Sequence, residues 1–152
     1  MKFNENLVIA NCGAASAEEV ITALCCLLEQ EEMVKPTYLG AVLAREVEYP
    51  TGVPTAYFDV AIPHAPSDHV LEAGFAIAKL QNPVTFGSMG GDEDEKVEAK
   101  LVFLLAVKDP QAQIQMLRAL MRAFENEEAM NSLLAAEDAA AVCSVVHDLG
   151  LA

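Results

Sequence analysis

Positive charge is scarce in this chain: nine Lys and Arg stand against 23 Asp and Glu in 152 residues, a formal charge of −14. Nucleic-acid binders neutralise phosphates with clustered basic side chains, so this balance excludes a phosphate-backbone partner. A protein docking here is expected to present a basic surface, although the same acidity also serves solubility alone. Long apolar runs are missing as well. Apolar residues make up 53% of the chain, yet they are spread along it, and no stretch reaches the roughly 20 needed to span a bilayer. The opening residues, MKFNENLVIANCG, lack a basic segment followed by a long apolar one. No secretory signal or membrane insertion is expected, and the implied address is cytoplasmic. The four cysteines, Cys12, Cys25, Cys26 and Cys143, form no C-x-x-C pair, and they read as reduced, small core residues. Repeats and low-complexity linkers are also absent. The length suits one domain, residues 1–152, able to bury a core without disulfides or a structural metal.

What is present reads as alternating helices and strands. Ser16 followed by Glu19 forms a capping-box pattern, and Val20, Ile21, Leu24, Leu27 and Leu28 recur at helical spacing, predicting a helix over 16–33. A second helix starting near Thr37 puts Leu39, Val42 and Leu43 on one apolar face and leaves Arg45 off it. The segment Tyr49 to Pro54 breaks that helix. Three strand-length apolar runs follow, at 57–62, 73–80 and 100–108, the last two nearly continuous. Continuous apolar strands belong to a sheet covered on both faces. The acidic run at 90–100 reads as a solvated loop. Asp109-Pro110 offers an N-cap and a first-turn proline, with Ile114, Leu117, Leu120, Met121 and Phe124 as the buried stripe of the helix that follows. Two shorter helices, 126–135 and 138–148, complete the chain, and most of the six methionines read as packing. The fold class is therefore α/β, a single-domain mixed sheet with helices on both faces.

The stretch DVAIPHAPSDHV, residues 59–70, carries the chemistry. Pro63 lacks an N–H and biases Ile62 toward extended backbone, so the strand is expected to stop there and release His64 at the carboxyl edge of the sheet. Ligands of open α/β folds bind at that edge. Arg45 belongs to a helix that ends at the turn into this strand. The helix after Asp109-Pro110 can aim free N–H groups at the same edge, with Gln113 in its first turns. An imidazole, a guanidinium and a helix N-terminus suit a transferable phosphoryl group.

The segments AREVEYPTG (44–52), VAIPHA (60–65) and LVFLLAVKDPQAQIQML (101–117), with their spacing, resemble the fructose/mannitol-type enzyme IIA of the bacterial sugar phosphotransferase system (PTS). Within that family the galactitol-type branch is the most similar. The resemblance implies a mixed sheet flanked by helices. It also implies a phosphoryl carrier in which His64 accepts phosphate from HPr and passes it to a cognate enzyme IIB, for uptake of a galactitol-like sugar. Arg45, the arginine of the R-E motif, falls beside the active site. Many mannitol and fructose members carry a second histidine where this chain has Gln113, a departure that matches the galactitol-type branch and argues against mannitol or fructose. No cofactor is implied. Related domains also act as phosphorylation-state sensors that bind other proteins, a use that needs the same histidine.

A neutral imidazole attacks phosphorus without a base. A backbone carbonyl near residues 64–66 accepting the Nδ1 proton would make Nε2 the nucleophile. Arg45, the helix N–H groups and Gln113 would then stabilise charge on the equatorial oxygens. His69 is a candidate second member of the site, against a surface or capping role, and His147 reads as a helix-end residue. A zinc hydrolase built on His64 and His69 is disfavoured by their spacing and by the want of a nearby carboxylate motif.

Overall fold

The computed structural model describes residues 1–152. Five strands form one sheet: β1 (Val8–Cys12), β2 (Gly52–Val53), β3 (Asp59–Ala61), β4 (Gly74–Gly87) and β5 (Lys96–Ala106). Their order is β1-β4-β5-β3-β2, with β1 parallel to β4, β3 parallel to β5, and the other neighbours antiparallel. The sheet is mixed, as expected, but β1 and β2 were not read from the sequence. The run at 73–80 extends to Gly87, and the last run begins at Lys96, inside the stretch read as loop. The 57–62 run contracts to Asp59–Ala61, because the Thr55 hydroxyl engages the backbone of Tyr57 and Phe58 in a turn.

Side chains alternate across a strand, and the two faces of this sheet differ in bulk. On one face Ala61, Ala76, Ala78, Ala99 and Ala106 let α1 (Ala17–Gln30) and α2 (Tyr38–Glu48) pack through Val20, Leu24, Leu28, Tyr38 and Val42. On the other, Phe75, Ile77, Leu101, Phe103 and Leu105 meet α3 (Pro110–Ala123), α4 (Glu127–Ala135) and α5 (Ala139–Asp148). Helices therefore cover both faces, giving a single α/β domain.

Local chemistry sets the helix ends. Ser16, Asp109, Asn126 and Asp138 each accept a hydrogen bond from the N–H three residues on. α1 stops at Gln30, short of 33: the Glu32 N–H donates to the Glu29 carbonyl and the Met33 N–H to the Leu28 carbonyl, with Glu32 at φ 56. This is a Schellman turn without its usual glycine. The stripe on α3 also shifts. Met116, Leu120, Ala123 and Phe124 are buried, whereas Ile114 and Met121 are exposed, lying about 160° and 140° from Met116 around a helix of 100° per residue. Three methionines, Met1, Met89 and Met121, are exposed rather than packed. All four cysteines are unpaired, but only Cys12 and Cys25 are buried.

Candidate functional site

His64 is delivered by a strand that loses a donor without losing its neighbour. The Ile62 N–H donates to the Thr51 carbonyl at 3.1 Å, and Pro63 has no N–H to offer. The Pro63 carbonyl nevertheless accepts from the Leu105 N–H at 3.0 Å, and His64 is bridged to Leu105. Contact with β5 thus continues through the proline, where release from the sheet was expected. Leu105 is itself held by the buried Tyr38 hydroxyl, which donates to its carbonyl at 2.6 Å.

The His64 residue is only 5% exposed, and its Nδ1 lies 2.9 Å from the Ile62 carbonyl. A carbonyl only accepts, so Nδ1 carries the proton and Nε2 keeps a free lone pair. The accepting carbonyl lies two residues upstream, not at 64–66. Burial holds the His64 pKa below its ordinary 6.5; the bond to Ile62 opposes that shift and the Arg45 charge adds to it. The ring is therefore neutral near pH 7.

Arg45 stands in the last turn of α2, where the Tyr49 N–H donates to its carbonyl at 2.6 Å. Its Cζ lies 5.2 Å from the centroid of the Tyr49 ring, a cation–π distance. Its Nε is buried without a hydrogen-bond partner, and the ion pairs of the chain run from Lys2 to Glu31 and Glu72, not to Arg45. The next residue, Glu46, accepts from the Thr51 N–H at 3.0 Å and from its hydroxyl at 2.8 Å. Burial pushes the Glu46 carboxyl above its usual pKa, while the bonds from Thr51 and the Arg45 charge pull it back.

A cleft of about 460 Å³ brings together His64, Arg45 and Gln113, with Glu48, Tyr49, Thr51, Leu117 and the Ser88–Gly91 turn also lining it. Of the first four N–H positions of α3 only that of Gln111 is without a partner, and Gln111 is not among the cleft residues. Pro110 has no N–H, the Ala112 N–H is taken by the Asp109 carboxylate at 2.7 Å, and the Gln113 N–H by the Asp109 carbonyl at 3.1 Å. What α3 offers the cleft is the half-buried Gln113 side chain. His69 is not among the cleft residues; its Nδ1 pairs with the Thr37 hydroxyl at 2.8 Å, at the start of α2. His147 sits in the last turn of α5. No three His, Cys, Asp or Glu side chains are grouped so as to hold a metal.

Sequence reasoning missed Thr51 and the Ser88–Gly91 turn, and it read Glu46 only as half of a motif. The turn reaches the cleft because the Met89 N–H donates to the Gly52 carbonyl at 2.7 Å. Gly52 permits that approach: a Cβ there would stand 2.5 Å from the Gly87 carbonyl.

This fold and site match known proteins. The family model for the phosphoenolpyruvate-dependent sugar phosphotransferase system, EIIA 2, matches residues 1–148. The galactitol-specific EIIA component of Escherichia coli K12 is 30% identical over 116 residues, 76% of each chain. The fructose-specific EIIA component of Haloferax volcanii is 34% identical over 113 residues, 73% of this chain and 68% of that one. Among solved structures, the complex of mannitol enzyme IIA with phosphorylated enzyme IIB from Escherichia coli aligns with a TM-score of 0.80 at 25% identity, covering 97% of this chain and 98% of that one. The class so defined is a phosphoryl-carrying component of the sugar phosphotransferase system. The chain belongs to the EIIA 2 family.

Proposed function

We propose that His64 Nε2 accepts a phosphoryl group from HPr and passes it to a cognate enzyme IIB in the cytoplasm, for uptake of a galactitol-like sugar. The Nε2 lone pair forms the N–P bond as the bond from phosphorus to the donor atom breaks, and the proton stays on Nδ1, donated to the Ile62 carbonyl, throughout. Arg45 and Gln113 would receive the equatorial oxygens. The observation that carries this reading is the buried Arg45 Nε–H without a partner, in the same cleft as a neutral imidazole. An unmet buried donor costs about 1–3 kcal/mol, a penalty that an anion in the cleft would remove.

Identity alone does not separate the sugars, since the galactitol and fructose relatives stand at 30% and 34%. Gln113, in place of the second histidine of many mannitol and fructose members, favours the galactitol-like reading. The mannitol structure was solved with phosphorylated IIB, and this supports an enzyme IIB as acceptor here.

The test is incubation with phosphoenolpyruvate, enzyme I and HPr. Wild type should gain an acid-labile mass of about 80 Da, and His64→Ala should not. Onward transfer to a galactitol-type IIB should outpace transfer to a mannitol-type IIB by about tenfold or more. Phosphate on another residue would overturn the assignment of His64.

A further inference from the structure

We infer that Glu46 is a positioning residue for this transfer, holding His64 and Arg45 in mutual register through Thr51. The inference rests on the phosphoryl-carrier reading and adds a residue to it. A series of hydrogen bonds, joined through the backbone of Thr51 and Ile62, links the Glu46 carboxylate to the imidazole. Glu46 accepts from the Thr51 N–H and hydroxyl, at 3.0 and 2.8 Å. The Thr51 carbonyl accepts from the Ile62 N–H at 3.1 Å, and the Ile62 carbonyl accepts from His64 Nδ1 at 2.9 Å. Thr51 is 2% exposed and Glu46 is half-buried, so water has little access to the Thr51 end of these bonds, and each group has a definite partner.

The other arm of the same device is covalent. Glu46 follows Arg45 directly, and fastening Thr51 fixes the segment that carries Tyr49, whose ring lies beside the guanidinium. One carboxylate thus governs two things: which imidazole nitrogen is free, and where the nearest cation stands. Successive bonds in the chain use different peptide groups, so the coupling is geometric and no proton moves along it. A small displacement of either group costs transfer rate, because in-line attack tolerates little misplacement.

The experiment compares Glu46→Gln, Thr51→Val and Thr51→Ser with wild type in two measurements. The first is the single-turnover rate of phosphoryl acceptance against phospho-HPr concentration. The second is the ¹⁵N NMR signature of the His64 ring in unphosphorylated protein. Glu46→Gln and Thr51→Val should each lower the maximal rate about tenfold, with the half-saturating donor concentration unchanged within about twofold. Their ring signals should move from one Nδ1–H tautomer toward a mixture. Thr51→Ser keeps the hydroxyl and should stay near wild type in both. A folded Glu46→Gln protein with wild-type rate and a single tautomer overturns the inference. So does a slower variant in which only the half-saturating concentration rises, which would assign Glu46 to partner docking. If wild type takes no phosphate on His64, the carrier reading fails on its own, and the ring spectra still decide whether Glu46 holds the histidine.

Discussion

A histidine that is 5% exposed and donates its Nδ1 proton to a carbonyl has one ring nitrogen left for chemistry, and on the proposed reading the protonation of that nitrogen governs the rate. Burial and the Arg45 charge both disfavour the imidazolium, so the nucleophilic form persists to lower pH than for a histidine in water. Acceptance of phosphate should therefore fall only below the ordinary 6.5. The sign for Arg45 follows: removing its charge raises the His64 pKa, so Arg45→Gln should move the midpoint of the rate–pH profile upward. An NMR titration of the ring checks this without turnover, and a midpoint that stays put or drops would refute it. Arg45→Ala should fold yet accept phosphate about 10²-fold more slowly, as expected for loss of a charge-stabilising donor. Gln113→Ala should cost less, because an amide adds a donor without charge; a larger loss than for Arg45→Ala would reverse that ordering.

At the scale of elements, the end of α1 offers a test of local strain. Glu32 adopts φ 56 to complete the turn that buries Met33, a conformation natural to glycine and costly with a Cβ. Glu32→Gly should stabilise the protein by about 1 kcal/mol and raise Tm by about 2–4 °C; thermal melts that show no gain would mean the turn is unstrained. Features of this local kind were legible in the sequence. Ser16 with Glu19, Asp109-Pro110 and the last two helices depend on neighbours a few residues away, and the helix starts fell where those residues placed them. β1 and β2 were not legible. Val8–Cys12 is a mostly half-buried strand defined by pairing with residues 77–80, and β2 is two residues long, recognisable only by its bonds to β3. The site divides the same way. His64, Arg45 and Gln113 announced themselves by chemical type and by their place at element ends. The Ser88–Gly91 turn depends on how far β4 runs and on which strand Gly52 joins, and the Glu46–Thr51 bonds, though only five residues apart, depend on the path of the turn after α2. His69 was drawn toward the site by sequence proximity, but its ring turns to Thr37, on the element that starts α2.

For the whole molecule, the net charge of −14 and the surface around the cleft act together. The exposed apolar side chains Tyr49 and Met89 line its mouth, Ile114 adjoins Gln113, and the acidic run Asp92–Glu95 follows directly on the lining residue Gly91. A partner with an apolar centre and a basic rim fits that pattern. Its association rate should fall on the order of tenfold from about 0.05 to about 0.5 M salt, while the saturated transfer rate changes little. Converting Asp92, Glu93, Asp94 and Glu95 to their amides should reproduce the slower association at low salt, as stopped-flow mixing would show. Equal rates for the amide variant and wild type would remove the hairpin tip from partner capture.

The depth at which the imidazole sits has a kinetic corollary. With His64 nearly flush beneath the protein surface in the cleft it shares with Arg45 and Gln113, a giver and a receiver that both reach it through this doorway cannot stand in it together. Turnover should then alternate strictly between two half-reactions, and an excess of dephosphorylated giver should jam the exit of the group it delivered.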